Sequence, residues 1–113
     1  MSHPTAKQFV TAMRSMKKPG GRQPLFLQAH YKAPGRAQTA TKLAQAAGYE
    51  NFRGINLWYG RLADKIGAAL GHKNANLALL VEFAPPRSVT NKEWVLSLRP
   101  AFADALKQVG WVG

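Results

Sequence analysis

Cysteine is missing from the 113-residue sequence, and this excludes disulfide bonds, thiolate zinc sites and a cysteine nucleophile. Long apolar runs are missing as well, because no apolar segment is longer than LALLVEF. A membrane-spanning helix would need about 20 apolar residues, so we expect no membrane partner. The N-terminal segment MSHPTAKQFV lacks the apolar stretch of a signal peptide. These features together predict a cytoplasmic protein.

Acidic residues are scarce, and this shortage dominates the charge of the chain. Sixteen Lys and Arg stand against five Asp and Glu, which gives a formal net charge of +11. The first carboxylate is Glu50, so residues 1–49 carry basic side chains without any acidic one. A surface of this kind attracts polyanions, and nucleic acid is the partner class that this charge favours.

Residues suited to catalysis do not cluster in the sequence. The carboxylates are scattered over four predicted elements: Glu50, Asp64, Glu82, Glu93 and Asp104. The three histidines show no metal-ligand spacing, and there is neither a phosphate-binding glycine loop nor a GxSxG motif. We therefore expect no enzymatic activity, no metal site and no cofactor.

The basic N-terminal part, residues 1–38, predicts two short helices. Apolar side chains recur at helical spacing over residues 6–16, and Thr5 precedes them as a capping residue. The segment PLFLQAHY predicts a second helix of about two turns, because Pro24 suits a first helical position. His30 lies in this apolar segment, and we expect it to be partly buried with its polar atoms satisfied.

Residues 39–71 predict two helices joined by a tight turn. The first helix should start after Thr39, whose hydroxyl can cap it, and end at Gly48. The second should begin after Asn51 and continue to Leu70, with an apolar face at helical spacing.

The period of the apolar residues changes after this helix pair. Residues 77–99 contain two strand-like segments, NLALLVEF and EWVLSLRP, around the polar loop APPRSVTNK. They predict an antiparallel hairpin with a long tip. Residues 100–113 predict a C-terminal helix that is opened by Pro100.

Three glycines interrupt the predicted fourth helix, each at a cost of about 1 kcal/mol relative to alanine. We expect packing at Gly67. At Gly54 and Gly60 we favour packing against the first or last helix, with the close approach of a base or sugar edge as the alternative. Tryptophan is expected in the core or at its rim: Trp58, Trp94 and Trp111.

The order of helix, tight turn, helix and hairpin over residues 39–99 resembles a winged helix-turn-helix domain. The small residues of KLAQAAG, the turn GYENFRG and the basic loop PPRSVTNK carry this resemblance. It implies one domain over residues 1–113, mainly α with a β-hairpin, with extra N-terminal helices and a C-terminal helix. Residues 39–71 would be the helix-turn-helix, whose second helix would enter the major groove of double-stranded DNA, and residues 77–99 would be the wing.

Arg53, Asn56 and Arg61 on this second helix suit base readout, because arginine pairs with guanine and asparagine with adenine through two hydrogen bonds each. The alternative is an ordinary solvated face on which Arg61 or Lys65 pairs with Asp64. The other predicted DNA contacts lie on or before the supporting helix, in the turn and in the wing: Arg36, Thr39, Thr41, Lys42, Tyr49, Asn51, Arg87, Ser88, Asn91 and Lys92.

A wider pattern, HYKAPGRAQTATKLAQAAGY with NLWYGRLA and WVLSLRPAFADALKQVGWV, is similar to small domains found beside HNH-type nucleases in bacterial restriction systems. This similarity implies a DNA-reading module, with the sensing of base modification among its roles, and it transfers no binding residue. The chain could then read DNA for a regulator or for a restriction or defence complex with a nuclease partner.

A second class of function also fits a small basic chain. It is a protein-binding inhibitor or adaptor, of phage or mobile-element origin, that acts on a nucleic-acid-processing partner. The sequence leaves the oligomeric state open. Salt dependence separates the two classes, because DNA binding weakens steeply as salt is added.

Overall fold

The computed structural model describes residues 4–72, 75–84 and 94–112. The fold is mainly helical with a small antiparallel sheet and is winged helix-turn-helix-like, which confirms the predicted fold class. In chain order, the helices and strands are α1 (Ala6–Arg14), α2 (Gln23–Lys32), β1 (Ala37–Thr39), α3 (Ala40–Ala47), α4 (Arg53–Ala69), β2 (Val81–Ala84), β3 (Val95–Leu98) and α5 (Pro100–Gln108).

Two helix ends lie at residues that the sequence predicted, the start of α1 after Thr5 and the end of α3 at Gly48. The Thr5 hydroxyl accepts a hydrogen bond from the Gln8 N–H at 3.2 Å, and the Gln8 side chain accepts one from the Thr5 N–H at 2.8 Å. This reciprocal pair is a capping box. Gly48 ends α3 with a φ of 77°, a left-handed conformation that glycine adopts without steric cost.

Strand β3 is the centre of the sheet, with β1 and β2 antiparallel on either side of it. The β2–β3 pairing confirms the predicted hairpin, and its register places Phe83 opposite Leu96. The prediction that the first strand begins at residue 77 is wrong, because Leu77–Leu79 is a 3-10 turn. The Asn76 side chain accepts a hydrogen bond from the Ala78 N–H at 2.9 Å, and this local bond favours a turn over a strand.

One buried core joins the helices to the sheet. The rings of Phe9 and Phe102 lie 5.5 Å apart and connect α1 to α5. The Phe26 ring lies 5.1 Å from Trp58 and 5.6 Å from Tyr59, so α2 packs against the middle of α4. Aromatic packing of this kind fixes the position of α4 relative to the N-terminal helices.

Tryptophan burial follows the prediction at two of the three positions. Trp111 is buried and Trp58 is half-buried, but Trp94 is 56% exposed. Trp94 shares a face of the hairpin with the buried Leu96 and Leu98, since these residues alternate along the chain. The apolar face of the hairpin therefore extends past the edge of the core, and Trp94 is the residue that extends beyond it.

The glycines of α4 fall into two classes. A methyl group added at Gly67 would collide with Cβ of Ala75, which confirms packing there. At Gly54 and Gly60, an added methyl group would meet no atom of the described residues within 4 Å. The packing favoured for these two positions is therefore wrong within the described part of the chain, and α4 has open space beside each of these glycines.

Substitution of Gly60 and Gly67 by alanine should have opposite effects. Gly60→Ala should raise the free energy of unfolding by up to about 1 kcal/mol, because alanine favours a helix and has open space there. Gly67→Ala should lower it by at least about 1 kcal/mol through overpacking. Urea unfolding of both variants tests this, and a destabilised Gly60→Ala variant would contradict it.

Candidate nucleic-acid interface

The turn between α3 and α4 is held by its own side chains at both ends. The Thr39 hydroxyl accepts a hydrogen bond from the Lys42 N–H at 3.3 Å and starts α3. The Asn51 side chain accepts a hydrogen bond from the Arg53 N–H at 3.0 Å, where α4 begins. The Thr39 side chain caps α3 as predicted. The predicted cap at Asn51 is wrong, because Phe52 is the residue that precedes α4 and the Asn51 bond is a local turn bond. Thr39 is also buried, and so we do not include it among the proposed DNA contacts.

Arg22 braces this turn from the start of α2. Its guanidinium donates a hydrogen bond to the Gly48 carbonyl at 2.9 Å and lies 5.8 Å from the centre of the Tyr49 ring. The other predicted contact in the turn, Tyr49, is half-buried and packs 6.1 Å from the Phe26 ring. Arg22 and Phe26 thus give the turn a fixed position, and sequence reasoning missed both roles.

A buried histidine ties α4 to α2 and to the sheet. His30 Nε2 lies 2.8 Å from the Leu96 carbonyl oxygen, and Nδ1 lies 2.8 Å from the Tyr59 hydroxyl. A carbonyl can only accept, so Nε2 carries the proton and Nδ1 accepts a hydrogen bond from the Tyr59 O–H. Burial lowers the pKa of His30 to about 4, with the Leu96 hydrogen bond opposing this shift, and burial raises the pKa of Tyr59. The imidazole therefore stays neutral, and the prediction for His30 is confirmed.

The three residues predicted for base readout do not lie together. Arg53 is exposed at the first position of α4, and Asn56 is half-buried one turn later. At three residues' separation on a helix, their side chains project from neighbouring positions. Arg61 is exposed two turns along the helix, where it lies beside basic side chains of another segment.

We name that second region the basic cleft. It is a depression of about 520 Å³ between the segment that follows α1 and the second half of α4. Four cationic side chains line it, together with two tryptophans and neighbouring residues. The cations are Lys17, Lys18, Arg61 and Lys65. No carboxylate is among the described residues that line the cleft, so its chemistry suits a phosphate backbone.

The supporting helix offers fewer free groups than its sequence indicates. Lys42 is exposed in the first turn of α3, and Thr41 is half-buried. The Arg36 guanidinium lies 4.0 Å from the centre of the Tyr31 ring and donates a hydrogen bond to the Tyr31 carbonyl. Arg36 is therefore engaged by the fold itself.

The predicted wing contacts Arg87, Ser88, Asn91 and Lys92 lie outside the described residues. Their assignment as DNA contacts stays a prediction. The strands that carry this loop, β2 and β3, are described and pair as a hairpin.

A second depression, which we name the aromatic groove, lies between the helix pair and the hairpin. Its volume is about 470 Å³. It is lined by the first residue of α3, the start of α4 and one face of the hairpin: Ala40, Phe52, Asn56, Phe83, Trp94 and Leu96. Sequence reasoning missed the groove, although the strand register was a usable signal because it puts Phe83, Trp94 and Leu96 on one face.

Few basic side chains of the described residues pair with a carboxylate. Among residues 4–72, 75–84 and 94–112, the one salt bridge joins Arg99 to Glu82 at 3.0 Å. The same residues hold no group of three or more His, Asp or Glu side chains that could bind a metal ion, and no helix formed by them is long and apolar enough to cross a membrane. Comparisons with protein-family models, with curated proteins and with solved structures gave no match to the chain.

Proposed function

We propose that the chain is a double-stranded DNA-binding module in which α4 is the reading helix and α3 supports it. The observation that carries this proposal is the first turn of α4. There, Arg53 and Gly54 are exposed, Asn56 is half-exposed, and no described atom occupies the space above Gly54. A recognition helix contacts base edges with its first turns, so these turns must be accessible.

The structure supports this role through the way the helix is held. The opposite side of α4 is fully buried at Ile55, Tyr59 and Ile66, and the Tyr59 hydroxyl is hydrogen-bonded to His30. The first turn of α4 can therefore be exposed without loss of the contacts that fix its position. A rigid support of this kind is what base readout requires, since hydrogen bonds to base edges depend on geometry.

The basic cleft supplies the second half of the interface. Arg61 and Lys65 lie on α4 beyond the reading turn, and Lys17 and Lys18 line the same cleft from the segment that follows α1. We assign these cations to phosphate contact, which positions a protein on DNA without selecting a sequence. Such a module would serve as the reading part of a regulator or of a restriction or defence system.

Salt dependence tests the assignment of the cleft. Lys18→Ala combined with Arg61→Ala should weaken binding to all duplexes alike. It should also flatten the log–log salt slope by about 0.9 for each phosphate contact that is lost. The matched control is Lys7→Ala with Lys107→Ala, which removes the same charge from α1 and α5 outside the cleft. Fluorescence anisotropy on a random duplex at several salt concentrations measures the affinity and the salt slope of each double variant. Equal slopes in the two double variants would contradict the cleft's role.

A protein-binding inhibitor or adaptor is the second candidate, and exposed apolar side chains favour it. Leu57 is 54% exposed between Arg53 and Arg61, on the outer face of α4. In the DNA proposal, Leu57 would contact a thymine methyl group. In the adaptor proposal, it would anchor a partner protein.

The same binding series separates the two candidates. We plot the logarithm of the affinity for duplex DNA against the logarithm of the salt concentration. A slope steeper than about −3 corresponds to at least three phosphate contacts. Random, cytosine-methylated and unmethylated duplexes should be included, since they also test the sensing of base modification. Absence of salt-dependent binding to every duplex would overturn the DNA proposal in favour of the adaptor.

A further inference from the structure

The exposed aromatic rings of this protein are not scattered over its surface. Within residues 4–72, 75–84 and 94–112, three aromatic side chains are largely exposed: Phe52 (43%), Phe83 (47%) and Trp94 (56%). All three line the aromatic groove, and they come from three different elements of the chain. Isolated exposed apolar residues are ordinary, but a convergent set marks a binding surface.

We infer that the aromatic groove binds a single unpaired base of DNA, one that has left the duplex stack. This inference rests on the proposed DNA-binding function and adds a second mode of recognition beside the reading turn of α4. The groove's volume of about 470 Å³ lies within the range of small-ligand pockets.

The chemistry of the lining fits a base and not a charged group. Asn56 is the one polar side chain among the described residues of the lining, and an amide can both donate to and accept from the edge of a base. The other described lining residues are apolar, and three of them carry rings on which a planar base can stack. Proteins recognise extruded bases by this combination of stacking and edge hydrogen bonds.

The charges around the groove fit the backbone to which such a base is attached. Arg53 directly follows Phe52 and lies one helical turn before Asn56, which also lines the groove, and the Arg53 side chain is exposed. None of the described residues that line the groove carries a charge, and Arg53 lies beside it at the start of α4. A neutral interior with a cation beside it complements a nucleotide, whose base is neutral and whose phosphate is anionic.

The experiment compares a fully paired duplex with the same duplex carrying one unpaired nucleotide, 2-aminopurine, as a bulge. The parent protein should bind the bulged duplex about 5- to 150-fold more tightly, which is the range for stacking of one base on an aromatic side chain. Stacking should also change the fluorescence of the 2-aminopurine. Trp94→Ala should remove most of this preference but keep the affinity for the paired duplex and its salt slope.

Two further variants make the result specific. Trp94→Phe keeps a ring and should keep most of the preference. Leu25→Ala truncates another exposed apolar side chain, 53% exposed on α2 and outside the groove, and it should change nothing. Trp94 is exposed, so its truncation should leave the thermal midpoint nearly unchanged, and circular dichroism checks this.

Several outcomes would overturn the inference. Equal binding of paired and bulged duplexes by the parent protein would overturn it and leave the DNA-binding function intact, as would a preference that survives in Trp94→Ala. Sedimentation that shows a dimer lost in Trp94→Ala would assign the groove to a second copy of the chain. Absence of salt-dependent binding to either duplex would overturn both proposals and leave the groove as a surface for a protein partner.

Discussion

Acidification from pH 7 to pH 5 should lower the free energy of unfolding by about 2 kcal/mol through His30 alone. Burial holds the pKa of this histidine at about 4 in the folded chain, against an ordinary value of 6.5. Below pH 6.5 the His30 imidazole of the unfolded chain binds a proton, whereas that of the folded chain binds one only near pH 4. The direction follows from this difference: stability is fully present above pH 6.5 and is lost as the pH falls towards 4, by about 3 kcal/mol in total.

Urea unfolding at several pH values between 7 and 5 measures the effect in a window where most carboxylates stay ionised. His30→Gln should flatten the pH dependence in this window, whatever it does to the baseline stability. His72→Gln is the matched control, because it removes a half-buried histidine that makes none of the contacts of His30, and the flattening should be larger in His30→Gln. A proton NMR titration of the parent protein gives an independent check once the His30 signals are assigned by their loss in His30→Gln, and a His30 imidazole that titrates near pH 6.5 in the folded state would contradict the prediction.

The hydrogen bond from Tyr59 to His30 should also contribute to the free energy of unfolding. Tyr59→Phe removes the O–H that donates to Nδ1 and leaves a buried acceptor without a partner. Such a loss costs about 1–3 kcal/mol. Because the Tyr59 ring contacts Phe26 and Trp58, the phenylalanine keeps the packing, and the variant isolates the hydrogen bond. A Tyr59→Phe variant as stable as the parent in urea would show that the bond contributes nothing.

Helix boundaries could be predicted from the sequence because their causes are local. Thr5 with Gln8, Thr39 with Lys42, and the left-handed Gly48 all act within three or four residues. Local hydrogen bonds and glycine conformations are encoded in short segments, so capping residues identify them. The hairpin was also predictable, since alternation and a polar loop are local signals.

The contacts that hold the candidate site together are not local, and the sequence does not reveal them. Arg22 reaches the carbonyl of Gly48, and His30 reaches both Tyr59 and the Leu96 carbonyl. Such pairings depend on the packing of α2 against α4 and the sheet, for which no motif exists. Strand β1 was missed for a different reason, because three residues are too few to show an alternating pattern.

The aromatic groove shows why burial is harder to predict than periodicity. Leu96, Leu98 and Trp94 follow one alternating pattern, and the pattern predicts that all three face the core. The core ends before Trp94, so the same face that buries the leucines leaves the tryptophan 56% exposed. Periodicity identifies the face of a strand, but only packing determines how far along the strand that face is covered.

The last prediction concerns Arg53 and Asn56 at the start of α4. Arg53→Ala or Asn56→Ala should each cost about 1–3 kcal/mol in binding to a preferred site, which is about 5- to 150-fold in affinity. Neither side chain is fully buried, so the thermal midpoint should change little. A duplex selected from a random library supplies the preferred site, and discrimination against random DNA should fall together with affinity, because a lost base contact removes a preference.

Arg53→Lys separates charge from readout at this position. Lysine keeps the positive charge but lacks the planar, two-pronged guanidinium, so affinity for random DNA and the salt slope should persist while discrimination falls. Arg14→Ala is the matched control for guanidinium loss, because Arg14 is exposed on α1 outside the helix pair and lines neither the aromatic groove nor the basic cleft. Arg14→Ala should weaken binding to all duplexes alike and only slightly. If Arg53→Ala and Asn56→Ala discriminate between preferred and random DNA as the parent does, α4 does not read bases through its first turn, and the exposed Leu57 on the same helix would then favour a protein partner.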